Sequence, residues 1–441
     1  MAAPPPLVLL DRITHFVKEA ITTTTATYDS SSSEEKKEEY GAAAAAAMGW
    51  TRVAGSCPLA VRGINPVMKP VPVLADPPRP SSLYFLLPPD EPVHIRPSSA
   101  EISTTHKGIL VLRTILNDGY KLLYDVTTNA LTVIPPLPDS RGGLHALVPL
   151  GCYTAVVVGD DDYIFADIVT SYDEETFDLA LPQANIFTWS SSSSKNIAAD
   201  NGRWVQSSVS QIPLPAHICG PDYHFQIDMN FSFHGRIFWV DLLQGILLCD
   251  LLEEGGPNLN FISLPDGCCI DVHRNLRHTL QPLCKRSMAC VSGVIKFVAL
   301  VGYDQTGCSD DKVMLKTWAL SPDFKLWTED TTALSVGDIW ASESFNQMGL
   351  PHVMPISPML SMTEDGIMYA ILNVIDMEPL EQLNDFGECL GNRLVPKANY
   401  IIRFDIRQNK VLSYTIPSKE AELRWMQHTL LATDFTAYLQ S

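Results

Sequence analysis

The sequence predicts a mainly β fold, a β-propeller-like arrangement of antiparallel four-stranded units, roughly five to seven blades, with a low-complexity N-terminal segment. Three observations carry this. Short apolar stretches separated by turn residues fill residues 80–417, with few long helical patterns among them. One strand–turn–strand unit recurs along the chain. The 46% hydrophobic fraction of the 441 residues supplies a large core, which stacked sheets extend as one layered unit. An irregular β-sandwich of unrelated hairpins is the alternative, because two of the three copies carry long insertions.

The first copy is Gly108-Ile-Leu-Val-Leu112, then Tyr120-Lys-Leu-Leu-Tyr-Asp125, a turn at Thr128-Asn129, and Leu131-Thr-Val-Ile134 before prolines. The second runs Gly235-Arg-Ile-Phe-Trp-Val-Asp241, Gly245-Ile-Leu-Leu-Cys-Asp250 and Phe261-Ile-Ser-Leu-Pro265. The third runs Gly366-Ile-Met-Tyr369, Tyr400-Ile-Ile-Arg-Phe-Asp405, a turn at Gln408-Asn409 and Val411-Leu-Ser-Tyr-Thr-Ile-Pro417. An Asp after a strand accepts hydrogen bonds from turn amides, and a Pro after the next strand stops further pairing. Asp125, Asp250 and Asp405 are therefore read as structural markers and not as catalytic acids.

Around these units the chain divides into four parts. Residues 1–21 are an N-terminal strand or helix segment. Residues 22–48, with their threonine, serine, charged and alanine runs, are a flexible insert. Residues 49–417 are the propeller-like domain. Residues 418–441 are a closing segment, read as an amphipathic helix because Leu423, Met426 and Leu430 fall near one face. From Pro66 to Pro97 the prolines are too dense for interior strands, which predicts an extended entry along the surface. Ser190 to Ser194 predict an exposed loop.

A net charge of −19 and the lack of a Lys/Arg stripe argue against nucleic acid and against anionic membranes. The start Met1-Ala-Ala-Pro-Pro-Pro lacks a signal-peptide pattern, and no apolar run reaches membrane-spanning length. The expectation is a monomer of the cytoplasm or nucleus, its ten cysteines free thiols and its sequon at Asn230 accidental.

The ordered series Leu326-Trp-Thr-Glu-Asp330, Val336-Gly-Asp-Ile-Trp340, Glu343-Ser-Phe345, Gly349-Leu-Pro351, Pro358-Met-Leu-Ser-Met362 and Glu364-Asp-Gly-Ile-Met-Tyr369 resembles the plant family, expanded in grasses, called domain of unknown function 1618. Leu7-Val-Leu-Leu-Asp-Arg12 is similar to that family's opening. The resemblance covers most of the chain and is most specific over 313–417. It implies a fold like the kelch-type domains associated with F-box proteins and no established activity. The N-terminal segment does not look like an F-box.

Ser321-Pro-Asp-Phe-Lys-Leu-Trp327 partly resembles the Asp box of sialidase propellers, with Lys325 where the usual Gly stands, and predicts a strand–turn–strand with Trp327 packed between sheets. Cys268, Cys269, His273, His278, Cys284 and Cys290 form the densest metal-capable group, but they supply no C-x2-4-C knuckle, so no metal is assigned. Asp160, Asp161 and Asp162 lack the alternation of a calcium loop and read as a solvated turn. Glu329 with Asp330, and Glu364 with Asp365, are adjacent, so each pair points to opposite faces of a strand and makes no two-carboxylate site. There is no Gly-x-Ser-x-Gly elbow and no phosphate-binding Gly-x4-Gly-Lys. No catalytic, cofactor-binding or metal residue is assigned. Trp340 and Phe345 are the candidate partner-binding residues, with core packing as the competing reading.

The functional reading is a non-enzymatic module that presents variable loops to another protein. Two alternatives stand beside it: a propeller-like hydrolase or lyase acting on a carbohydrate or small metabolite, and a ubiquitin-ligase substrate receptor without an F-box.

Overall fold

The computed structural model describes residues 5–18, 68–87, 99–114, 121–134, 137, 145–149, 154–159, 163–173, 179–190, 204–206, 212–215, 218, 225–251, 257–270, 277–303, 308–330, 333–379, 392–417 and 430–439. They form six blades around one axis, in the predicted fold class and within the predicted range.

Blade one is built from Ser99–His106, Ile109–Thr114, Lys121–Asp125 and Ala130–Ile134, and blade three from Met229–Phe233, Arg236–Asp241, Gly245–Asp250 and Asn258–Ser263. Blade two has Ala155–Val158, Tyr163–Asp173 and Leu179–Ser190, with the short strands Val205–Gln206 and Ile212–Pro213 sharing its outer position. The outer position of blade four is shared likewise by Trp327–Glu329 and Leu334–Ser335, outside Arg286–Val291, Val294–Val301 and Met314–Leu320. Blade five comprises Ile356–Leu360, Ile367–Pro379, Asn392–Asp405 and Lys410–Thr415. Blade six joins the two ends of the chain. Leu430–Thr433 pairs antiparallel with Val8–Asp11, which runs parallel to Pro80–Leu87, and Lys69–Val73 lies outside. After Arg12 the chain continues as Ile13–Lys18 and pairs with Ser99–His106 of blade one, fusing the two sheets.

The hydrophobic core is divided into clusters shared by consecutive blades, and the cycle closes. Ile109 and Val111 of blade one meet Phe165 and Trp189 of blade two; Ile186 meets Trp239; Phe238 meets Phe297; Leu300 meets Phe404; Tyr369 meets Leu9; and Phe85 meets Leu110 of blade one again. The two faces of one strand show how. Met368, Ala370 and Leu372 point to blade four, while Ile367, Tyr369 and Ile371 point to blade six. A strand covered on both faces reads as a continuous apolar run, which is the form of all three sequence copies.

The turns repeat as regularly. Lys107-Gly108 (φ 45° and 81°), His234-Gly235 (50° and 76°) and Ser292-Gly293 (48° and 83°) join the first two strands of blades one, three and four. Two successive left-handed residues make the type I′ turn that matches the twist of paired strands. At the same end, opposite the first residue of the second strands, the marker aspartates close the third strand of their blades. Asp125 Oδ1 accepts from the Thr127 N–H (2.9 Å) and Asp405 Oδ1 from the Gln408 N–H (3.0 Å). Asp250 differs, pairing instead with Arg236 Nε at 3.2 Å.

Three expectations are corrected. The opening segment is strand throughout residues 8–11 and 13–18, with no helix. Residues within 66–97 do form strands, Lys69–Val73 and Pro80–Leu87, and Leu83 and Phe85 are buried. Pro70 and Pro72 alternate on an edge strand that pairs on one side only, and Pro80 is the first residue of its strand, so these prolines are tolerated. Leu430 belongs to the inner strand of blade six and not to a helix; residues 418–429 lie outside the described residues.

Candidate functional site

The innermost strands of the blades surround the axis. Between the innermost strands of blades three to six lies a small pocket lined mainly by Met229, Leu283, Met288, Met359 and Leu430, with Arg12 and Ser287 the polar side chains among them. The space in this pocket is about 40 Å³, near the ~30 Å³ share of one water molecule and far below the roughly 300 Å³ at which small-molecule sites begin. Arg12 is only 3% exposed. Asn230, on an innermost strand, is buried, and its Nδ2 donates to the Thr154 carbonyl, so in the folded ring the sequon offers no accessible acceptor.

Around the ring, neighbouring blades are tied by polar contacts that the sequence does not reveal. Lys121 of blade one pairs with Asp167 of blade two beneath Trp204, whose ring centroid is 4.8 Å from the ammonium. His106 Nδ1 accepts the Val158 N–H at 3.2 Å across the same junction. Burial, and then the Lys107 charge, pull the His106 imidazole down to about 4, which keeps it neutral and able to accept. At the junction of blades four and five, Lys296 pairs with Asp365 and lies 3.9 Å from Asp330. Asp365 also accepts from Arg407 (2.5 Å), and Glu364 takes both oxygens to Arg403 (2.7 and 2.8 Å). Burial acts to raise the Asp365 carboxyl, but the Lys296 and Arg407 hydrogen bonds outweigh it and hold the group below its ordinary range. The strand alternation expected of the adjacent acidic pairs does not apply, because Glu364 and Asp365 lie in the turn before Ile367–Pro379 and Asp330 follows the end of Trp327–Glu329; each pair is split by its partners, Glu329 going to Lys316 and Glu364 to Arg403, while Asp330 and Asp365 converge on Lys296. Only the fold brings these two together.

Trp340 and Phe345 lie on two short helices, Val336–Ala341 and Glu343–Gln347, which the sequence reading missed. The signal was there in Ser335 and Asp338. The Ser335 hydroxyl accepts the Asp338 N–H, and the Asp338 carboxylate accepts the Ser335 N–H, a reciprocal cap. The helices form a wedge between blades four and five. The Ser344 hydroxyl accepts the Val411 N–H (2.9 Å) and so covers the outer edge of blade five. Phe345 has no exposed surface. Trp340 is half-buried, donates to the Val353 carbonyl (3.1 Å) and stacks on His352 with ring centroids 5.6 Å apart. The two residues thus share one packed unit, in which only Trp340 reaches the surface.

The Asp-box-like segment is a turn, as predicted. The Ser321 hydroxyl accepts the Leu326 N–H and donates to Asp323, and Trp327 Nε1 crosses to the Ser263 carbonyl of blade three at 2.8 Å. Burial pushes the Cys268 thiol up to about 11 and raises those of Cys284 and Cys290, the condition of inert, packed cysteines. Among the described residues no group of three or more His, Cys, Asp or Glu is placed to hold a metal. His273 and Asp160 to Asp162 lie outside the described residues.

Two second-to-third-strand hairpins outgrow their blades. In blade five, Ile367–Pro379 pairs with Asn392–Asp405 along its whole length, whereas the inner strand accompanies it only to Ile371 and the outer one only to Ile401. Beyond those points the hairpin is a two-stranded arm that exposes Ile375 (40%) and Met377 (67%). Blade two has a long pair too, Tyr163–Asp173 with Leu179–Ser190, but there His145–Pro149 runs along Val169–Asp173 as a further strand. No helix among the described residues is long and apolar enough to cross a membrane.

No curated protein matches the chain. Among solved structures it is similar to a glycosyl hydrolase from Bacteroides ovatus at 8% identity and TM-score 0.22, over 59% of this chain and 68% of that one. A glycoside hydrolase matches at 8% identity and TM-score 0.25, over 73% and 65%. A structure from work on the GH130 family of mannoside phosphorylases, which contains glycoside hydrolases that target β-1,2 mannosidic linkages in Candida mannan, matches at 9% and 0.21, over 59% and 68%. Likeness at those scores says nothing of chemistry. The family model described as a protein of unknown function (DUF1618) matches residues 239–369. That match runs from the second strand of blade three through the wedge to the second strand of blade five, and it agrees with the resemblance read from the sequence.

Proposed function

We propose that this chain is a protein-interaction module whose ring is a scaffold and whose working surface is its rim. The observation that carries the reading is the contrast between centre and arm. The pocket between the innermost strands of blades three to six has about 40 Å³ of space and a mainly apolar lining, too little for a metabolite or a sugar. The blade-five arm, in contrast, holds Met377 at 67% exposure, and an exposed apolar group on a rigid sheet favours a macromolecular partner.

The test is an arm-trimmed variant in which Asn-Gly closes the hairpin directly across the Val374/Ala398 pair, a register already in place. The variant keeps the thermal midpoint of the full chain and loses proteins that the full chain captures saturably. Retention of all of them, or reproducible failure of the full chain to capture any, contradicts the reading.

A further inference from the structure

The two edges of the blade-five arm are not equivalent. On the Asn392–Asp405 side the edge is interrupted by Pro396 and by a register shift opposite Val374/Ile375, and Lys397 is engaged with Glu378 at 2.6 Å. Proline, a bulge and lysine are the devices by which sheet edges are kept from pairing. On the Ile367–Pro379 side, residues 374–378 read Val-Ile-Asp-Met-Glu, without proline, lysine or bulge. Among the described residues no third strand lies along them. The Met377 N–H is not spent on the ladder: it donates to the Asp376 carboxylate beside it at 3.1 Å. Ile375 and Met377 share one face of this strand, and Asp376 occupies the other, also exposed.

We infer that the open edge of Ile367–Pro379, over residues 374–378, takes up an extended strand of a partner protein, one in which apolar residues alternate with lysine or arginine. The backbone of the incoming strand bonds the outward amides; its apolar side chains cover Ile375 and Met377, and a basic side chain on the opposite face meets Asp376. An acidic strand is repelled by the same carboxylate, so the edge selects by charge as well as by pattern. This inference rests on the interaction reading and specifies the partner's chemistry.

The test uses the full chain and synthetic peptides: alternating Lys-Val-Lys-Val-Lys-Val, its Glu-Val counterpart, and the blocked order Lys-Lys-Lys-Val-Val-Val. Fluorescence anisotropy reads binding, and hydrogen exchange reads the amides of Ile375 and Met377. The alternating basic peptide binds saturably, at least about tenfold more tightly than either control, and slows exchange at both amides. Met377→Pro removes an amide that the ladder does not use and weakens that binding at least about tenfold with little change in thermal midpoint. Ile375→Lys, which places a charge on the apolar face, does the same and serves if Met377→Pro folds poorly. Absence of saturable binding, equal binding of the blocked or acidic peptide, or binding that both variants leave unchanged overturns the inference. A captured partner that is lost on arm trimming but kept by Met377→Pro and Ile375→Lys overturns strand addition while leaving the interaction reading intact.

Discussion

Replacing Phe345 with alanine removes a ring that has no exposed surface and packs in the cluster that joins blades four and five. That cluster is assembled from three directions: Val336 and Ile339 on the preceding helix, Leu300 and Leu315 of blade four, and Phe404 of blade five. They belong to a reciprocally capped helix and to laddered strands, so they have little freedom to collapse into the void. The upper half of the Phe→Ala range applies, about 4–5 kcal/mol. Phe345→Leu keeps most of the volume and costs under about 1.5 kcal/mol. Trp340→Ala, at a half-buried site, loses one hydrogen bond to Val353 and the stack on His352, together about 1–2.5 kcal/mol. Equilibrium urea unfolding followed by tryptophan fluorescence measures all three. A loss below about 1 kcal/mol for Phe345→Ala refutes the description of the wedge as close-packed. A change in partner affinity for Trp340→Ala larger than its change in stability would make that indole a contact residue and not only a packing one.

His106 supplies a pH test. Its native value of about 4 lies below the ordinary 6.5, so between these values the unfolded chain binds a proton that the native state refuses. Stability is complete above pH 6.5 and falls on acidification towards pH 4, by about 1 kcal/mol between pH 6.5 and 5 after allowance for partial exposure; His106→Gln flattens that slope in urea titrations at the two pH values. At the Lys296 junction, Lys296→Met leaves Asp330 and Asp365 facing one another without their shared cation and costs roughly 1–2 kcal/mol, a loss that shrinks in high salt; thermal melts at low and high salt check it. Gly108 and Gly235 both have positive φ, but a Cβ on Gly108 would lie 2.7 Å from Tyr438 Cβ, whereas Gly235 has nothing within 4 Å. Gly235→Ala therefore costs about 1 kcal/mol, and Gly108→Ala costs more; equal losses would mean that the C-terminal segment does not pack against blade one.

Much of the ring was legible because a blade buried on both faces writes itself as apolar runs between turns. Gly108, Gly235 and Gly366 marked the start of second strands, and Asp125, Asp250 and Asp405 the end of third strands. Blade four escaped the repeat because its third strand ends at Leu320 without an aspartate, and its turn is made by Ser321 and Asp323 instead. The prolines at 70 and 72 misled because a sequence does not say which strand will lie at an edge. The wedge was missed because its helices have 6 and 5 residues, too short for a periodic pattern, and only the reciprocal cap at Ser335 betrays them. The polar junctions were invisible for a different reason. Lys121 and Asp167, or Asp330 and Asp365, sit in consecutive blades and meet only when those blades are set side by side. The exposed arm is likewise a matter of where Ile356–Leu360 and Lys410–Thr415 stop, which no local pattern announces.

The claim that binding belongs to the rim and not to the centre is tested most directly by the affinity of a captured partner for two variants of equal stability. One is trimmed at the Val374/Ala398 pair, and the other carries Ser287→Ala in the middle of the ring. The account predicts at least about tenfold weaker binding for the trimmed chain and none for the central substitution. The reverse order, with the trimmed chain binding normally and the central variant impaired, contradicts it.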